Sequence, residues 1–328
     1  MKIDIVMATY NGSAYILEQL QSIANQSLKP DRVIVSDDCS SDNTLSIIRE
    51  FALKNSINIE ILDNQNQLGC AQNFNRALNA ADGDVIFLSD QDDVWFDNKL
   101  EVIANYFKNS NKILVMNDSI LTDGDLHSSG ITKLQNFNRK SIPLTGFVMG
   151  CCAAIRYEFL EKTLPIPEPS QHDDWIVGFA IGLNVREIHF EPLQFYRRHG
   201  SNDSRAEVND LTHHHLPFKK LFFIESHKNQ LDKLKLELLV LKERLKRLNA
   251  HKEYFISCSS KANFEEYFND ISRNLLIISK RVDALSRKDL TSSLKLLFKL
   301  KINHQSYKLA SLVKDLLIVI NPFNDKRF

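Results

Sequence analysis

What this 328-residue chain lacks narrows its class before any motif is read. Its five cysteines, Cys39, Cys70, Cys151, Cys152 and Cys258, form no CxxC pair and no regular framework. That excludes a disulfide scaffold and a thiolate zinc site, and fits reduced thiols in a cytosolic chain. No apolar run approaches the roughly 18 residues that a spanning helix requires. The first apolar stretch, residues 3–7, contains Asp4 and is too short for a signal-peptide core. The expected location is the cytoplasm, with peripheral contact at the inner face of the cell membrane left open. Charge of one sign is also missing: 41 Lys and Arg balance 41 Asp and Glu. The strong basic field of a nucleic-acid-coating protein is therefore absent, and nucleic acid is not an expected partner. No GxGxxG opens a helix and no GxxxxGK[ST] occurs, so dinucleotide redox chemistry and P-loop chemistry have no support.

What is present is a packed composition, 43% hydrophobic and 25% charged, divided unevenly along the chain. Residues 1–216 hold 18 Lys and Arg against 29 Asp and Glu, whereas residues 217–328 hold 23 against 12. In the first part, β-branched apolar runs at 3–7, 33–35, 57–62, 85–88 and 113–116 alternate with helical patterns of roughly ten to fifteen residues. Continuous apolar strands separated by helices indicate an α/β domain with a doubly wound, mostly parallel sheet covered on both faces. From residue 217 the alternation stops, and leucines recur at Leu231, Leu234, Leu238, Leu241, Leu245 and Leu248. This predicts an all-helical C-terminal extension over 217–328. The seam is shorter than three heptads, so an intramolecular hairpin and a homodimeric coiled coil both fit it.

In a doubly wound sheet the ligand site lies beyond the carboxyl ends of the strands. Three polar loops follow strands here: Ala8-Thr9-Tyr10-Asn11-Gly12, Ser36-Asp37-Asp38-Cys39-Ser40-Ser41-Asp42, and Ser89-Asp90-Gln91-Asp92-Asp93. Three carboxylates within four residues, Asp90, Asp92 and Asp93, repel one another unless a cation neutralises them. An all-oxygen donor set favours Mg²⁺ or Mn²⁺ over zinc, and the open positions suit phosphate oxygens. The bland alternative, an acidic cap on the following helix, accounts for one or two of these groups. Asp37 and Asp38 read equally well as acceptors for a base or ribose and as an Asx-turn. Asn11-Gly12 reads as a tight strand-to-helix turn. His172-Asp173-Asp174-Trp175 opens a helix, where a carboxylate is either a cap or a rigidly held general base. Arg197 and His199 follow a further strand-like run at 189–195 and suit a phosphate or a metal; His213-His214-His215 more simply reads as solvated.

Taken in order, Ala8-Thr9-Tyr10-Asn11-Gly12, Asp37-Asp38-Cys39-Ser40-Ser41-Asp42, Asn73-Phe74, Asp90-Gln91-Asp92-Asp93-Val94-Trp95, His172-Asp173-x-Trp175 and Tyr196-Arg197-x-His199-Gly200-x-Asn202 resemble family 2 glycosyltransferases of the GT-A fold. The resemblance covers roughly residues 1–205 and is strongest to the bacterial rhamnosyltransferase-like branch. It implies an inverting, metal-dependent sugar transferase of O-antigen, capsule or other surface polysaccharide synthesis. Its donor would be a dTDP- or UDP-sugar and its acceptor a glycan; the basic residues after 217, set against the acidic first part, fit an acceptor carried on a lipid diphosphate. It further implies that Thr9, Tyr10, Asn11, Asp37, Asp38, Asn73, Asp90, Gln91, Asp92, Trp175 and Arg197 hold the nucleotide sugar. Asp90 and Asp92, with Asp93 or His199, would hold Mn²⁺ or Mg²⁺. The base would be Asp173 or, because relatives show Glu-Asp where this chain has His172-Asp173, its neighbour Asp174.

The helical extension lies outside the resemblance. Its segment Leu294-Lys295-Leu296-Leu297-Phe298-Lys299-Leu300-Lys301 fits a helix packed on its neighbours with lysines outward, or one lying on an anionic leaflet. Two rivals remain: a catalytically idle nucleotide-sugar-binding assembly module with the same fold, and a nucleotidyltransferase. The second wants a basic Gly-rich loop after the first strand, and residues 8–12 hold no basic residue.

Overall fold

The computed structural model describes residues 1–110, 112–200, 227–287, 289–304 and 306–320. The His213–His215 tract, Asn202 and the expected boundary at 216/217 lie outside the described residues. The chain divides into two compact units, Met1–His213 and His214–Phe328.

In the first unit the apolar runs become β1 (Ile3–Thr9), β2 (Arg32–Asp37), β3 (Ile59–Asp63) and β4 (Val85–Ser89). Helices α1 (Ile16–Ala24), α2 (Thr44–Lys54) and α3 (Cys70–Ala80) connect them. Each helix buries one stripe: Ile16, Leu20 and Ile23 in α1, Ile48 and Phe51 in α2, Phe74, Ala77 and Leu78 in α3. Strand order β3-β2-β1-β4 is parallel throughout. Register sets the site: Thr9 pairs with Asp37 and Met7 with Ser89, so the first, second and fourth strands end side by side.

Beyond β4 the sheet mixes directions. After β5 (Val94–Trp95) and α4 (Lys99–Asn109) come β6 (Leu114–Thr122), β7 (Ser128–Thr132), α5 (Lys133–Arg139), β8 (Ala153–Arg156), α6 (Tyr157–Thr163), α7 (His172–Gly182) and β9 (Arg186–Arg197). β8 pairs antiparallel with both β4 and β6, β9 runs parallel to β6, β5 pairs antiparallel with β9, and β7 with β6. β9 is longer than the run at 189–195; its register shifts twice beside Asp118, which accommodates Pro192 and carries Arg197 to the edge of the site.

The second unit contains α8 (His227–Ala250), α9 (Lys252–Cys258), α10 (Lys261–Ser286), α11 (Leu290–Asn303) and α12 (Leu309–Ile320). The leucine seam of α8 is spent inside the chain: Leu234 is buried with Ile278 and Leu285 of α10 and Ile318 of α12, and Leu231, Leu238 and Leu241 pack against them. A second cluster joins Ile277 and Ala284 to Leu297, Leu300, Tyr307 and Leu312. Between them Asp315, fully buried, accepts from Arg281 Nε at 2.7 Å and Nη2 at 3.0 Å and from the Tyr307 hydroxyl. Among the described residues no helix is long and apolar enough to cross a membrane.

Candidate active site

The first two loops are stitched together. The backbone turns through left-handed conformations at Asn11 (φ 46°) and Cys39 (φ 63°). Asn11 N donates to Ser40 Oγ at 2.9 Å, and its Oδ1 accepts from Ser41 N at 2.9 Å. Gly12 N donates to Thr44 Oγ1 at 2.8 Å and Ser13 N to Asp42 Oδ2 at 3.0 Å; against the opposing effect of burial, the donors of Thr44 and Ser13 hold Asp42 down at about 2. The third loop is fastened to the first through Gln91, whose amide accepts from Tyr10 N and donates to Tyr10 O, both at 3.0 Å. Glycine at position 12 leaves room for this amide: a Cβ there would lie 2.2 Å from Gln91 Oε1 and would push it off Tyr10.

Several side chains expected to touch the nucleotide are turned inward instead. Asp37 is fully buried; its oxygens accept from the Thr9 hydroxyl (2.8 Å), the Ser40 hydroxyl (2.7 Å) and Ser40 N (2.8 Å). Asp38 accepts from Leu68 N (2.6 Å), Gly69 N (2.9 Å) and Asn64 Nδ2 (3.2 Å), which fixes the loop ahead of α3. Asn73 donates to the carbonyls of Thr9 and Ser36 at 3.2 and 2.9 Å. Trp175 is buried, its indole N–H donating to Thr163 O at 2.8 Å. Arg197 is buried too: Nε donates to Asp92 O at 2.8 Å, Nη1 to Gly124 O at 2.6 Å, and Nη2 pairs with Glu18. Each of these groups is held by protein partners, because buried polar atoms must find them and the loops supply them.

The acidic loop separates into two kinds of carboxylate. Asp93 points into the protein, where Gln194 Nε2 donates to it at 2.7 Å and Arg197 N at 3.3 Å; burial, then Asp92 and Asp90, pushes its carboxyl well up. Gln194 in turn accepts from the buried Lys99, whose ammonium also donates to Cys151 O at 3.0 Å and lies 3.9 Å from the Trp95 ring centre. Burial lowers Lys99 to about 8. Asp93 is nonetheless placed with Asp90 and Cys151, each bringing a ligand atom within 4.8 Å of the others. Asp90 and Asp92 stay partly open. Asp90 is raised to about 7, first by burial and then by the charges of Asp92 and Asp173. Three carboxylates from two separate stretches therefore lie close enough for Asp90 to feel the other two.

His199, two residues past β9, brings Nε2 to 2.8 Å from Asp92 Oδ2. Asp173 lies in the first turn of α7 and is partly open, while Asp174 beside it is exposed. Its helix start is located by His172, stacked on Phe74 with ring centres 4.0 Å apart, and by Gly150, where a Cβ would lie 2.5 Å from His172 Nε2. Carboxylates crowded around Asp90, with the His199 imidazole beside Asp92, are a donor set that fits a divalent cation. Tyr10 and Asn11 are exposed at the same edge.

Tyr15, Glu18, Lys99, Cys151 and Gln194 lie outside the polar loops that mark the site in the sequence, so no motif points to them. Asp123, Asp125 and His127 also cluster, on the exposed turn between β6 and β7. There Asp123 Oδ1 accepts from Asp125 N and His127 N, as a turn-forming aspartate does.

Residues 4–164 match the family model for glycosyl transferase family 2, and the chain is 32% identical over 223 residues to the dTDP-rhamnosyl transferase RfbG of Shigella flexneri, covering 62% of this chain and 75% of that protein. The chain belongs to glycosyltransferase family 2. This glycosyltransferase is also similar to the UDP-Glc:alpha-D-GlcNAc-diphosphoundecaprenol beta-1,3-glucosyltransferase WfgD of Escherichia coli, at 29% identity over 55% of this chain and 69% of that one. The fold is shared with S. aureus TarS 1–349, solved in complex with UDP-GlcNAc: TM-score 0.55 at 16% identity, over 100% of this chain and 93% of that structure.

Proposed function

We propose that this glycosyltransferase moves a sugar, with inversion, from a dTDP- or UDP-linked donor to a glycan acceptor carried on a lipid diphosphate, in bacterial surface polysaccharide synthesis. The observation that carries the reading is the gathering of Asp90, Asp92 and Asp173 in one place, with His199 Nε2 2.8 Å from Asp92 Oδ2 and Asp90 raised to about 7. The names of the relatives, dTDP-rhamnosyl transferase and glucosyltransferase on GlcNAc-diphosphoundecaprenol, support the donor and acceptor classes. The catalytic unit is residues 1–216 and the helical extension 217–328.

Asp90, Asp92 and His199 would hold Mn²⁺ or Mg²⁺ beside the donor diphosphate. Such an ion, when bound, neutralises charge developing on the leaving nucleoside diphosphate. Tyr10 and Asn11 offer exposed edges to the nucleotide, over a floor kept rigid by Thr9, Asp37, Asp38, Asn73 and Arg197. Asp173, held at the start of α7, takes the proton from the acceptor hydroxyl as it approaches the anomeric carbon from the face opposite the leaving group. A single displacement of that geometry inverts configuration. Asp174, exposed one residue on, is the weaker candidate.

The two carboxylate tasks separate by experiment. Calorimetry with dTDP or UDP plus Mn²⁺ should show binding lost in Asp92→Asn and retained in Asp173→Asn, whose turnover falls by roughly a hundred- to ten-thousandfold. Equal nucleotide affinity in wild type and Asp92→Asn rejects the metal assignment. The extension would place the enzyme at the inner leaflet. Phe298, Ile302, Leu309, Val313 and Leu317 are exposed on α11 and α12, beside exposed Lys295 and Lys299, a pairing suited to anionic lipid.

A further inference from the structure

One aromatic ring outside every motif touches two side chains beside the acidic loop, His199 and Arg197. Tyr15 immediately precedes α1, and its backbone is fixed by Tyr15 N donating to Gly12 O at 3.0 Å and by its own carbonyl accepting from Glu18 N at 3.1 Å. His199 stacks on its ring, centres 4.6 Å apart and planes inclined by 26°. The Arg197 guanidinium lies 4.7 Å from the same ring centre. The turn between β6 and β7 closes the arrangement from the side: a Cβ on Gly124 would stand 3.7 Å from the Tyr15 hydroxyl and 3.8 Å from His199 Cβ.

The consequence falls on Asp92. Arg197 holds the Asp92 carbonyl and His199 Nε2 faces the Asp92 carboxylate, so both ends of that residue are contacted by side chains resting on Tyr15. An imidazole beyond the last strand residue has free rotation about two bonds, and a ring that aims one nitrogen at a ligand position needs a surface to lie on. We propose that Tyr15 is a positioning residue of the donor site, setting the plane of His199 so that Nε2 is presented to Asp92 and to the cation and diphosphate bound there. The proposal rests on the reading of Asp92 and His199 as parts of the donor site. It adds a residue just ahead of α1 that acts through His199.

The test is a double-mutant cycle on the full chain, read by calorimetry with dTDP and with UDP in the presence of Mn²⁺. Tyr15→Leu should weaken metal-dependent nucleotide binding about tenfold, the scale on which partners of metal-binding side chains act. Tyr15→Phe, which keeps the ring, should stay within about twofold of wild type. In a His199→Ala background Tyr15→Leu should add less than about twofold, because its effect passes through the imidazole. A merely structural role would lower the melting temperature and weaken binding equally in both backgrounds; equal losses overturn the proposal, as does unchanged affinity in Tyr15→Leu. Tyr15→Met supplies the same comparison where Tyr15→Leu does not fold. If wild type shows no metal-dependent nucleotide binding, the donor-site reading fails and Tyr15 falls with it. If wild type binds and His199→Ala matches it, the role given to His199 is wrong and the proposal is again overturned.

Discussion

At the scale of single residues, identical chemistry is put to opposite uses. Asp37 and Asp93 are carboxylates at strand ends, as Asp90 and Asp92 are, yet the first pair ties down loops while the second faces the cleft. The sequence could show that acids gather after β2 and β4; it could not show which way each one points, because that depends on the loop's own donors. Asp37→Ala removes the acceptor of three hydrogen bonds, and urea unfolding should show a loss of about 1–3 kcal/mol. Lys133 shows burial acting on a cation. It is almost fully enclosed, beneath Tyr196 and beside Phe137, and burial lowers its ammonium from the usual 10.5 to about 7. Between pH 7 and 10 the unfolded chain holds this proton and the folded protein does not, so its contribution makes stability rise with pH over that range; below pH 7 the full penalty is present. Lys133→Met should therefore stabilise the protein by roughly 2–4 kcal/mol at pH 6 and by less at pH 9, measured by urea unfolding at each pH.

At the scale of elements, what the sequence revealed followed the length of the apolar runs. β1, β2, β4 and the start of β6 were readable because buried parallel strands are continuously apolar. β5 is two residues long, β7 is Ser128-Ser129-Gly130-Ile131-Thr132, and β8 begins with two alanines, so none carries a periodic signal; their pairing partners create them. The leucine seam was legible as a helix but its partner was not, since an a/d pattern states only that something apolar must cover it. The structure covers it with α10 and α12. Leu234→Ala should lower stability by about 2–4 kcal/mol through lost burial and the cavity left behind, measured by thermal or urea unfolding. At α7, Gly150→Ala should push His172 aside and displace the helix start. Donor turnover should drop at least about tenfold while Mn²⁺-dependent nucleotide binding stays within about twofold, a split that steady-state kinetics and calorimetry report together.

At the scale of the whole molecule, zero net charge hides two populations. The acidic residues concentrate before residue 217, where a cation site needs them, and the basic excess after it. The full chain should float with vesicles containing phosphatidylglycerol at low salt and be released as salt rises. Phe298→Glu together with Ile302→Glu should abolish flotation without changing nucleotide affinity. Failure to float at low salt would leave the helical extension with a purely structural role.

Under the proposed donor site, the stitching of the first two loops bears on how such an enzyme changes its choice of base. Asn11, Gly12 and Ser13 each bond to a partner between residues 40 and 44, so neither loop keeps its shape when the other is replaced. A transplant from a relative with another nucleotide preference should succeed only when both segments travel as one cassette.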